Sequence, residues 1–448
     1  MNKRYIFFIF LMIGLVWSCT KDKMPQLIEL DQELESLVKQ SASDGNLEYY
    51  IFPDSDDLDN IPQDSAKNPL TPAKVELGMF LFHETGFAMA SLKDEGRGTY
   101  SCATCHIAEA GFRPGNFQGI ADGGKGFGLN GEDRVRDPNY IDSELDVQSA
   151  RPLSMTNVAY VKNTFWNGQF GSQGANVGTE AVWDLREDTQ RNHLGFEAIE
   201  TQNFEGIESH RILITKDLID LYGYTDLFDE SFPNLTEEQK YSNYGGSLAI
   251  SAYIRTILTN EAPFQNWLKG NRNALSFEEK KGGILFFGKA NCSDCHYRTN
   301  LGSLEFLALG VTDMDQIPSY NTDASDRRNK GRGGFTLKEE DNYKFKVPQL
   351  YNMSDAPFYF HGASKRSLDE LIDYKNLAQT ENPRVAQEIL SEKFVPLNLS
   401  DDEKKYLKAF LEKSLRDPNL VRYKPSFVKS GFCFPNNDAQ SRIDLGCN

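Results

Sequence analysis

The sequence predicts a mainly α-helical protein that contains two similar domains joined by long loops. Signals for helix starts recur along the chain, and one five-residue cysteine motif occurs twice, at residues 102 and 292. Each copy of the motif follows a short apolar segment with helical periodicity. Because the chain has 448 residues, it exceeds what one ordinary hydrophobic core supports, and two or three domains are expected.

The composition indicates an acidic globular protein. Apolar residues make up 39% and charged residues 25% of the chain, which suits a packed core and argues against general disorder. The formal net charge of −17 excludes nucleic acid as a favourable partner, since its phosphates would be repelled. The same charge favours a small basic protein as a partner, because opposite charges steer association.

Residues 1–19 have the pattern of an export signal. Lys3 and Arg4 precede an apolar run from Tyr5 to Trp17 that is too short to span a membrane comfortably. Cys19 follows in the position of the lipidated cysteine of a bacterial lipoprotein, although Trp17 departs from the small residue usual there. The sequence therefore predicts an exported, periplasmic lipoprotein that is anchored to the membrane through Cys19. An ordinary cleaved signal peptide is the alternative.

Residues 20–65 are predicted to form a tether that ends in a loop. The segment is polar and acidic, and four aspartates cluster near its end, at Asp54, Asp56, Asp57 and Asp59. Like charges repel one another and extend a linker, which is the reason for this interpretation.

The first domain is expected over residues 66–265 and begins with a helix. Thr71 is a favourable N-cap, and Pro72 suits the first helical position. Apolar residues then recur at helical spacing, at Val75, Phe80 and Leu81. His83, at the end of this segment, is interpreted as a structural residue, with iron ligation as the alternative.

The two cysteine motifs are the strongest functional signal. Both read Cys-x-x-Cys-His, with Cys102, Cys105 and His106 in the first copy and Cys292, Cys295 and His296 in the second. This pattern is typical of c-type haem attachment, in which two thiols add to the porphyrin vinyl groups and the histidine binds the iron. A zinc site or a redox-active thiol pair would leave the repeated histidine unexplained. The sequence therefore predicts two covalently bound haem c groups in two cytochrome c-like domains.

Residues 111–140 are predicted to form a loop over the first haem. The stretch is rich in glycine and has neither helical nor strand periodicity. A phosphate-binding loop would require a preceding strand and a following helix, and the pattern lacks both.

A capping signal predicts the helix that closes the first domain. Thr236 and Gln239 have the spacing of a capping box. The inward face of the helix that follows is expected at Leu248, Tyr253, Ile254 and Ile257.

The second domain, residues 266–430, carries two further capping signals. Ser276 with Glu279 opens a helix that leads into the second cysteine motif. Ser400 with Glu403 opens a later helix, whose inward residues are Tyr406, Leu407, Phe410 and Leu411. Each motif is thus preceded by one amphipathic helix and followed by another.

An internal repeat supports this division. The segment 77–82 before the first motif parallels 282–287 before the second. Beyond the motifs, residues 152–157 and 165–168 resemble 348–352 and 360–362, a register that makes Trp166 equivalent to His361. Duplication of one haem domain explains both similarities.

The C-terminal tail, residues 431–448, contains the two remaining cysteines. Cys433 and Cys447 are left after Cys19 and the four motif cysteines are assigned. An oxidising compartment favours a disulfide between them, and two free thiols are the alternative.

Several motifs, taken in their order along residues 66–415, resemble those of the bacterial di-haem cytochrome c peroxidases and their relative MauG. They are Leu77 to Phe82, Ser101 to His106, Phe165 to Gly168, Phe345 to Pro348, Phe358 to Gly362 and Ser367 to Glu370. The resemblance implies a peroxidatic haem on His106, an electron-transfer haem on His296 and Trp166 as the electron relay between them. It also implies a calcium ion between the domains, held largely by backbone oxygens.

The first haem is expected to be open to peroxide. No histidine occurs between His106 and His193, so the loop after the first motif cannot supply a second axial histidine. The family has a distal glutamine and, ten residues on, a glutamate. Gln202 resembles that glutamine, but the tenth residue beyond it is Ile212. The nearest titratable residues, Glu208 and His210, are the candidates for acid and base catalysis, with a solvated surface role as the alternative.

The outer ligand of the second haem is predicted to be Lys375. Family members have Met or Tyr at this distance after the segment that begins here at Ser367, and Tyr374 is adjacent. An unprotonated lysine amine can bind iron, and burial favours that form. Met314 and Met353 are alternatives.

The resemblance implies an enzyme that reduces hydrogen peroxide to water with electrons from a small cytochrome c or cupredoxin. Two other functions stay open. One is a MauG-like oxidase that modifies a partner protein, and the other is a di-haem electron carrier without peroxide chemistry. A homodimer is compatible with each of the three.

Overall fold

The computed structural model describes residues 23–447. The predicted signal peptide and Cys19 lie outside these residues. The helices are α1 (Lys23–Ser41), α2 (Pro72–His83), α3 (Glu187–Gln190), α4 (Ala198–Ser209), α5 (Lys216–Leu221), α6 (Thr225–Ser231), α7 (Glu237–Lys240), α8 (Asn243–Arg255), α9 (Pro263–Leu268), α10 (Phe277–Phe287), α11 (Gly333–Thr336), α12 (Leu368–Leu377), α13 (Asp401–Ala409) and α14 (Ala439–Asp444).

The strands are few and short, which confirms the mainly α-helical fold class. They are β1 (Gly124–Lys125), β2 (Val135–Arg136), β3 (Phe306–Ala308) and β4 (Lys344–Lys346). β1 pairs with β2 and β3 with β4, both antiparallel, with Gly124 opposite Arg136 and Phe306 opposite Lys346. The predicted glycine-rich loop, residues 111–140, therefore contains only one two-residue ladder.

The predicted tether over residues 20–65 is wrong for the part that the structure describes, residues 23–65. Both halves of this part pack against the rest of the protein. Residues 23–41 form α1, and Leu30, Leu34 and Val38 are buried along one face. Asp31 Oδ1 accepts a hydrogen bond of 2.8 Å from Trp267 Nε1, and Asp31 Oδ2 lies 2.8 Å from Lys280 Nζ. The apolar stripe repeats only every four residues, so the charged residues between its members gave the segment a linker-like composition.

The first hydrophobic core forms where α2, α4 and α8 pack together. Thr71 caps α2 as predicted, since its side chain accepts a hydrogen bond from Lys74 N, and Pro72 is the first helical residue. α2 crosses α8 at Gly78, where a Cβ atom would lie only 1.9 Å from the carbonyl oxygen of Ala249. A side chain at this position would therefore separate the two helices.

The second core has the same construction from α10 and α13. The predicted capping boxes Ser276 with Glu279 and Ser400 with Glu403 are both present. A Cβ atom on Gly282 of α10 would lie 2.0 Å from the carbonyl oxygen of Tyr406 in α13. α13 continues as a π-helical turn over Phe410–Ser414, which carries the buried Phe410 into this core.

The helix predicted from Thr236 and Gln239 differs from the observed one. Thr236 caps only the short α7, whereas the buried residues lie on α8, which starts from Ser242. Ser242 Oγ accepts a hydrogen bond from Tyr244 N and is the N-cap of the longer helix. The single helix predicted here is thus two helices, α7 and α8, each with its own N-cap residue.

Local geometry repeats between the two cores. Asn157 and Asn352 both adopt left-handed backbone angles, with φ of 57° and 54°. Each asparagine side chain bonds the segment that follows the second helix of its core, at Thr259 for Asn157 and at Asp417 for Asn352. Phe165 and Phe360, which precede Trp166 and His361, also share a positive φ, of 70° and 65°.

The C-terminal tail is fixed to the first core. Cys433 and Cys447 form a disulfide, which decides between the two expectations for these thiols. Ser101 Oγ, beside the first motif, donates a hydrogen bond of 3.0 Å to Pro435 O. Asp444 Oδ2 accepts one of 2.8 Å from Phe127 N in the glycine-rich loop. Among residues 23–447, no helix is long and apolar enough to cross a bilayer.

Candidate active site

The first cysteine motif lies on the wall of a large cavity. Cys102, Cys105 and His106 line it together with Phe82 of α2. His106 Nδ1 is 3.1 Å from Phe112 O, so a hydrogen bond to this carbonyl places the proton on Nδ1 and leaves Nε2 available to a metal. Burial lowers the pKa of His106 to about 4, which keeps the imidazole neutral.

The second motif has the same arrangement in a second cavity. Cys292, Cys295 and His296 line it with Phe286 of α10. His296 Nδ1 is 2.8 Å from Leu301 O, and burial lowers the pKa of His296 to about 4. Phe82 and Phe286 lie 6.4 and 6.5 Å from the imidazoles of their own motifs, measured between ring centroids. These contacts align Phe82 with Phe286, one residue away from the register read from the sequence.

The donor set of each cavity fits a c-type haem. The four motif cysteines are free thiols, and burial raises the pKa of Cys102, Cys105 and Cys292 to about 12. Two thiols and one histidine with a free Nε2 therefore face a largely apolar space in each half of the molecule. This is the set that thioether attachment and axial ligation require.

Trp166 lies between the two cavities and lines both of them. Its Nε1 donates a hydrogen bond of 2.7 Å to Arg151 O, and its ring centroid is 6.3 Å from that of His361. His361 stacks on Phe345 at 3.6 Å and is paired through Nε2 with Asp313 at 2.8 Å. The two residues that the repeat makes equivalent are thus in contact at the interface between the cores.

The wall of the first cavity also includes one face of α4. Gln202, Glu205, Gly206 and Ser209 line the cavity, and His210 follows at the end of the helix. Glu208 does not, since its side chain is half exposed and paired with Arg191 on the outer face. The prediction of Glu208 as a catalytic residue is therefore wrong, because one step along a helix rotates a side chain by about 100°.

Glu205 is a carboxyl group of the cavity wall that the sequence reasoning missed. Burial raises the pKa of Glu205, although Arg191 Nε at 3.8 Å opposes this shift. Residues 202, 205, 206 and 209 have the i, i+3, i+4, i+7 spacing of one helix face, which is the signal that could have found it.

His210 is held by a carboxylate. Its Nδ1 lies 2.8 and 3.0 Å from the two oxygens of Asp146, a buried residue that also lines the cavity. Burial alone would lower the pKa of His210, but the negative charge of Asp146 outweighs it and raises this pKa above its ordinary value. Nδ1 is engaged in this pair, so Nε2 is the nitrogen that can exchange protons with another molecule.

Lys375 lines the second cavity, as the sequence count predicts. It lies on α12, and burial lowers the pKa of its amine, with the two motif thiols opposing that shift. Of the alternatives, Met353 also lines this cavity, whereas Tyr374 turns away and donates a hydrogen bond to Leu309 O. Met314 is buried elsewhere.

The remaining histidines lie outside the cavities. His83 is buried with Nδ1 2.8 Å from Met79 O, and burial lowers its pKa to about 4, so it is a neutral structural residue. His193 is exposed and paired with Asp184 at 2.9 Å. Within residues 23–447, no three His, Cys, Asp or Glu side chains form a metal-binding cluster, and the calcium ion expected on backbone oxygens stays a prediction.

Residues 72–273 match the family model of the di-haem cytochrome c peroxidases. MauG, the methylamine utilization protein of Methylorubrum extorquens, is 26% identical over 367 residues, which cover 81% of this chain and 84% of that protein. The cytochrome c551 peroxidase of Pseudomonas aeruginosa is 24% identical over 69% of this chain and 74% of its own length.

Similarity of fold extends to a solved MauG-like protein associated with microbial copper homeostasis. The TM-score is 0.55 at 22% identity, with 83% of this chain and 95% of that structure covered. This chain is therefore similar to the di-haem cytochrome c peroxidases over residues 72–273, and to MauG over most of its length.

Proposed function

We propose that this protein is an exported di-haem peroxidase that reduces hydrogen peroxide to two molecules of water. The observation that carries the proposal is the first cavity, where the haem-attachment motif faces a wall with a protonatable histidine and a carboxyl group, His210 and Glu205. Cys102, Cys105 and His106 would hold the peroxidatic haem, and Cys292, Cys295 and His296 the electron-transfer haem. Haem bound at these residues would supply cleavage of the O–O bond and electron transfer.

The protein's own contribution at the first cavity is proton handling. His210 Nε2 accepts the proton that peroxide loses on binding and returns it to the departing oxygen, while Asp146 holds Nδ1 and orients the ring. Gln202 offers an amide to the bound oxygen atoms, and Glu205 supplies a second proton from a carboxyl group whose pKa burial raises. The reaction needs two electrons and two protons for each peroxide.

The path of electrons is supported by the place of Trp166. Its indole borders both cavities, and such a ring bridges a distance that is unfavourable for direct transfer. Lys375, on the wall of the second cavity, is the proposed outer ligand of the electron-transfer iron, where it would leave no open position for peroxide. A small basic cytochrome c or a cupredoxin is the proposed donor, because the chain carries a net charge of −17.

Domain organisation and location are part of the same proposal. Two haem domains, 66–265 and 266–430, derived from one ancestor, would explain the paired glycine crossings and the paired asparagines. Lipidation at Cys19 would keep the enzyme at the periplasmic face of a membrane. A calcium ion on backbone oxygens between the domains and a homodimer stay predictions.

The test of the function is turnover by purified holoprotein. We expect reduced small cytochrome c or cupredoxin to be oxidised on addition of hydrogen peroxide, with two electrons consumed per peroxide, and W166F to slow this reaction. Absence of donor oxidation by a protein that carries two haems would contradict the proposal.

The second candidate function is oxidation of a side chain on a partner protein. The similarity to MauG over 81% of this chain favours it. Mass analysis of candidate partners after peroxide addition separates the two functions, because only the second changes the mass of a protein other than the electron donor.

A further inference from the structure

Three cationic side chains lie on the wall that separates the two cavities. Arg113, Arg151 and Lys346 line both cavities, although they come from distant segments of the chain. Arg151 and Lys346 are 3% and 7% exposed, and Arg113 is partly buried. The wall between the two motif histidines thus carries three positive charges away from bulk water.

None of the three cations has a carboxylate partner in the part of the chain that the structure describes. No carboxylate oxygen of residues 23–447 lies within 4.0 Å of their side-chain nitrogens. Their hydrogen bonds go to backbone carbonyls, those of Asn352 and Tyr351 for Arg113, Asn116 and Pro114 for Arg151, and Asn163 for Lys346. Carbonyl oxygens satisfy the donors but do not neutralise the charge.

Two other buried cations, Lys74 and Arg332, also donate only to neutral oxygens, but neither lines either of the two cavities. Others are paired with carboxylates. Arg255 is 1% exposed and is paired with Glu200 at 2.6 Å and Glu197 at 3.2 Å. Lys280 is likewise paired with Asp31. An uncompensated buried charge is unfavourable, and three that meet on one wall of two cavities favour a counter-charge that comes from outside the chain.

The lowered pKa values of the three cations are consistent with a site built to receive an anion. Burial lowers the pKa of Lys346 to about 7 and that of Arg151 well below its ordinary range. Burial also lowers the pKa of Arg113, which Asp355 only partly opposes. Carboxylates in the two cavities would restore all three pKa values.

We propose that Arg113, Arg151 and Lys346 form one shared carboxylate-binding site that holds propionate groups of both haems. This inference rests on the proposed two-haem function. A guanidinium fork binds a carboxylate through two parallel hydrogen bonds, and an ammonium adds a point charge, so the three groups suit the propionate edges of two porphyrins that face each other across this wall.

Two residues of the shared site are hydrogen-bonded to Trp166, the tryptophan between the cavities. Trp166 Nε1 donates to Arg151 O, and Lys346 N donates to Trp166 O, each at 2.7 Å. Positive charge close to both irons stabilises their reduced states and raises both midpoint potentials. Loss of one cation should therefore lower the potentials of both haems and not of one alone.

The test is a spectroelectrochemical titration of K346M, with K346R and the exposed K405M as controls. Lys405 lies on α13, its side chain is 75% exposed, and it lines neither cavity. K405M therefore removes the same charge from a site outside the wall. In K346M we expect both midpoint potentials to fall by about 59 mV or more, which is a tenfold change in each one-electron equilibrium. K346R and K405M should keep both potentials near the wild-type values.

The haem content is measured first. Fewer than two haems in the wild-type protein would contradict the proposed function. Two haems with unchanged midpoint potentials in K346M would contradict this inference alone. A shift at only one haem would overturn the shared site.

Infrared spectra of wild-type holoprotein with ¹³C-labelled propionates give a result even if K346M does not accumulate. We expect the propionates to stay ionised well below the ordinary carboxyl pKa of about 4.3. Protonation at the ordinary value would show that solvent or a free inorganic anion, and not a propionate, neutralises the three cations.

Discussion

At the scale of single residues, the parts of the site that follow local chemistry could be predicted, and those that depend on a helix face could not. The attachment motifs are short patterns whose chemistry demands the residue types, whereas the role of Trp166 is implied by the family resemblance alone. Lys375 was found by counting from Ser367, and it does line the second cavity. Glu205 was missed because counting ten residues from Gln202 ends at Ile212, whereas helical periodicity brings Glu205 and Gln202 to one face.

The pH dependence of peroxide consumption tests the pair of His210 and Asp146. His210 accepts a proton only when neutral, and Asp146 raises its pKa, so the rate should rise with pH through a value above the ordinary histidine pKa. In D146N only Glu205 still opposes the effect of burial, so the pKa of His210 should fall and the acid limb of the pH profile should move to lower pH. H210Q should abolish the limb and reduce the rate by about 10²-fold or more.

The matched control is E208Q, which changes an exposed carboxyl group on the same helix. We expect its rate and pH profile to equal those of the wild type. An acid limb that stays in place in D146N would remove Asp146 from the mechanism.

Replacement of Lys375 tests the outer ligand of the second haem. In K375A we expect the ferric spectrum of that haem to lose its low-spin character, because the amine on the cavity wall is removed. In wild type the same loss should occur on acidification, since a protonated amine cannot bind iron and burial has lowered its pKa. Identical spectra for K375A and the wild type would exclude Lys375 and favour Met353.

At the scale of elements, capping residues predicted where helices start, whereas composition did not predict which segments are folded. Thr71, Ser276 and Ser400 cap helices as expected, because each satisfies backbone donors within its own turn. α1 was missed, since its order comes from distant partners on α9 and α10 that no local pattern reveals. Tertiary packing therefore decides where this sequence departs from its local preferences.

At the crossing of α2 and α8, adding one methyl group to Gly78 should lower the stability of the fold strongly. G78A places a Cβ atom 1.9 Å from Ala249 O, so the helices must separate, and we expect a loss of about 1–3 kcal/mol or more in the free energy of unfolding. Urea denaturation of the holoprotein measures this loss. E76A, an exposed position on the same helix, is the control and should change stability by less than about 0.5 kcal/mol. Equal stability of both variants would refute the close crossing.

The disulfide of the tail predicts a second stability effect. Cys433 and Cys447 are separated by 14 residues, and closing a loop of this size stabilises a fold by about 3 kcal/mol in the chain-entropy account. C433S/C447S should therefore lower the melting temperature and increase proteolysis of the tail. Tail cleavage at the wild-type rate in this double variant would show that the contacts with Ser101 and Phe127 suffice.

At the scale of the whole molecule, the account depends on two unequal cavities built on two similar cores. The repeat of glycine crossings and left-handed asparagines explains why the halves resemble each other. The cavities differ in their polar lining residues, with Gln202, Glu205 and His210 in the first and Lys375 in the second. The duplication that the sequence predicts stays a prediction, whereas the fold brings Trp166 against His361 and both cavities against one wall.

The most direct test of this account is the optical spectrum of the purified ferric holoprotein before and after one equivalent of hydrogen peroxide. We expect two covalently bound haems per chain, one high-spin and one low-spin, and a prompt spectral change on addition of peroxide. Two low-spin haems that do not respond to peroxide would contradict the account, as would fewer than two bound haems.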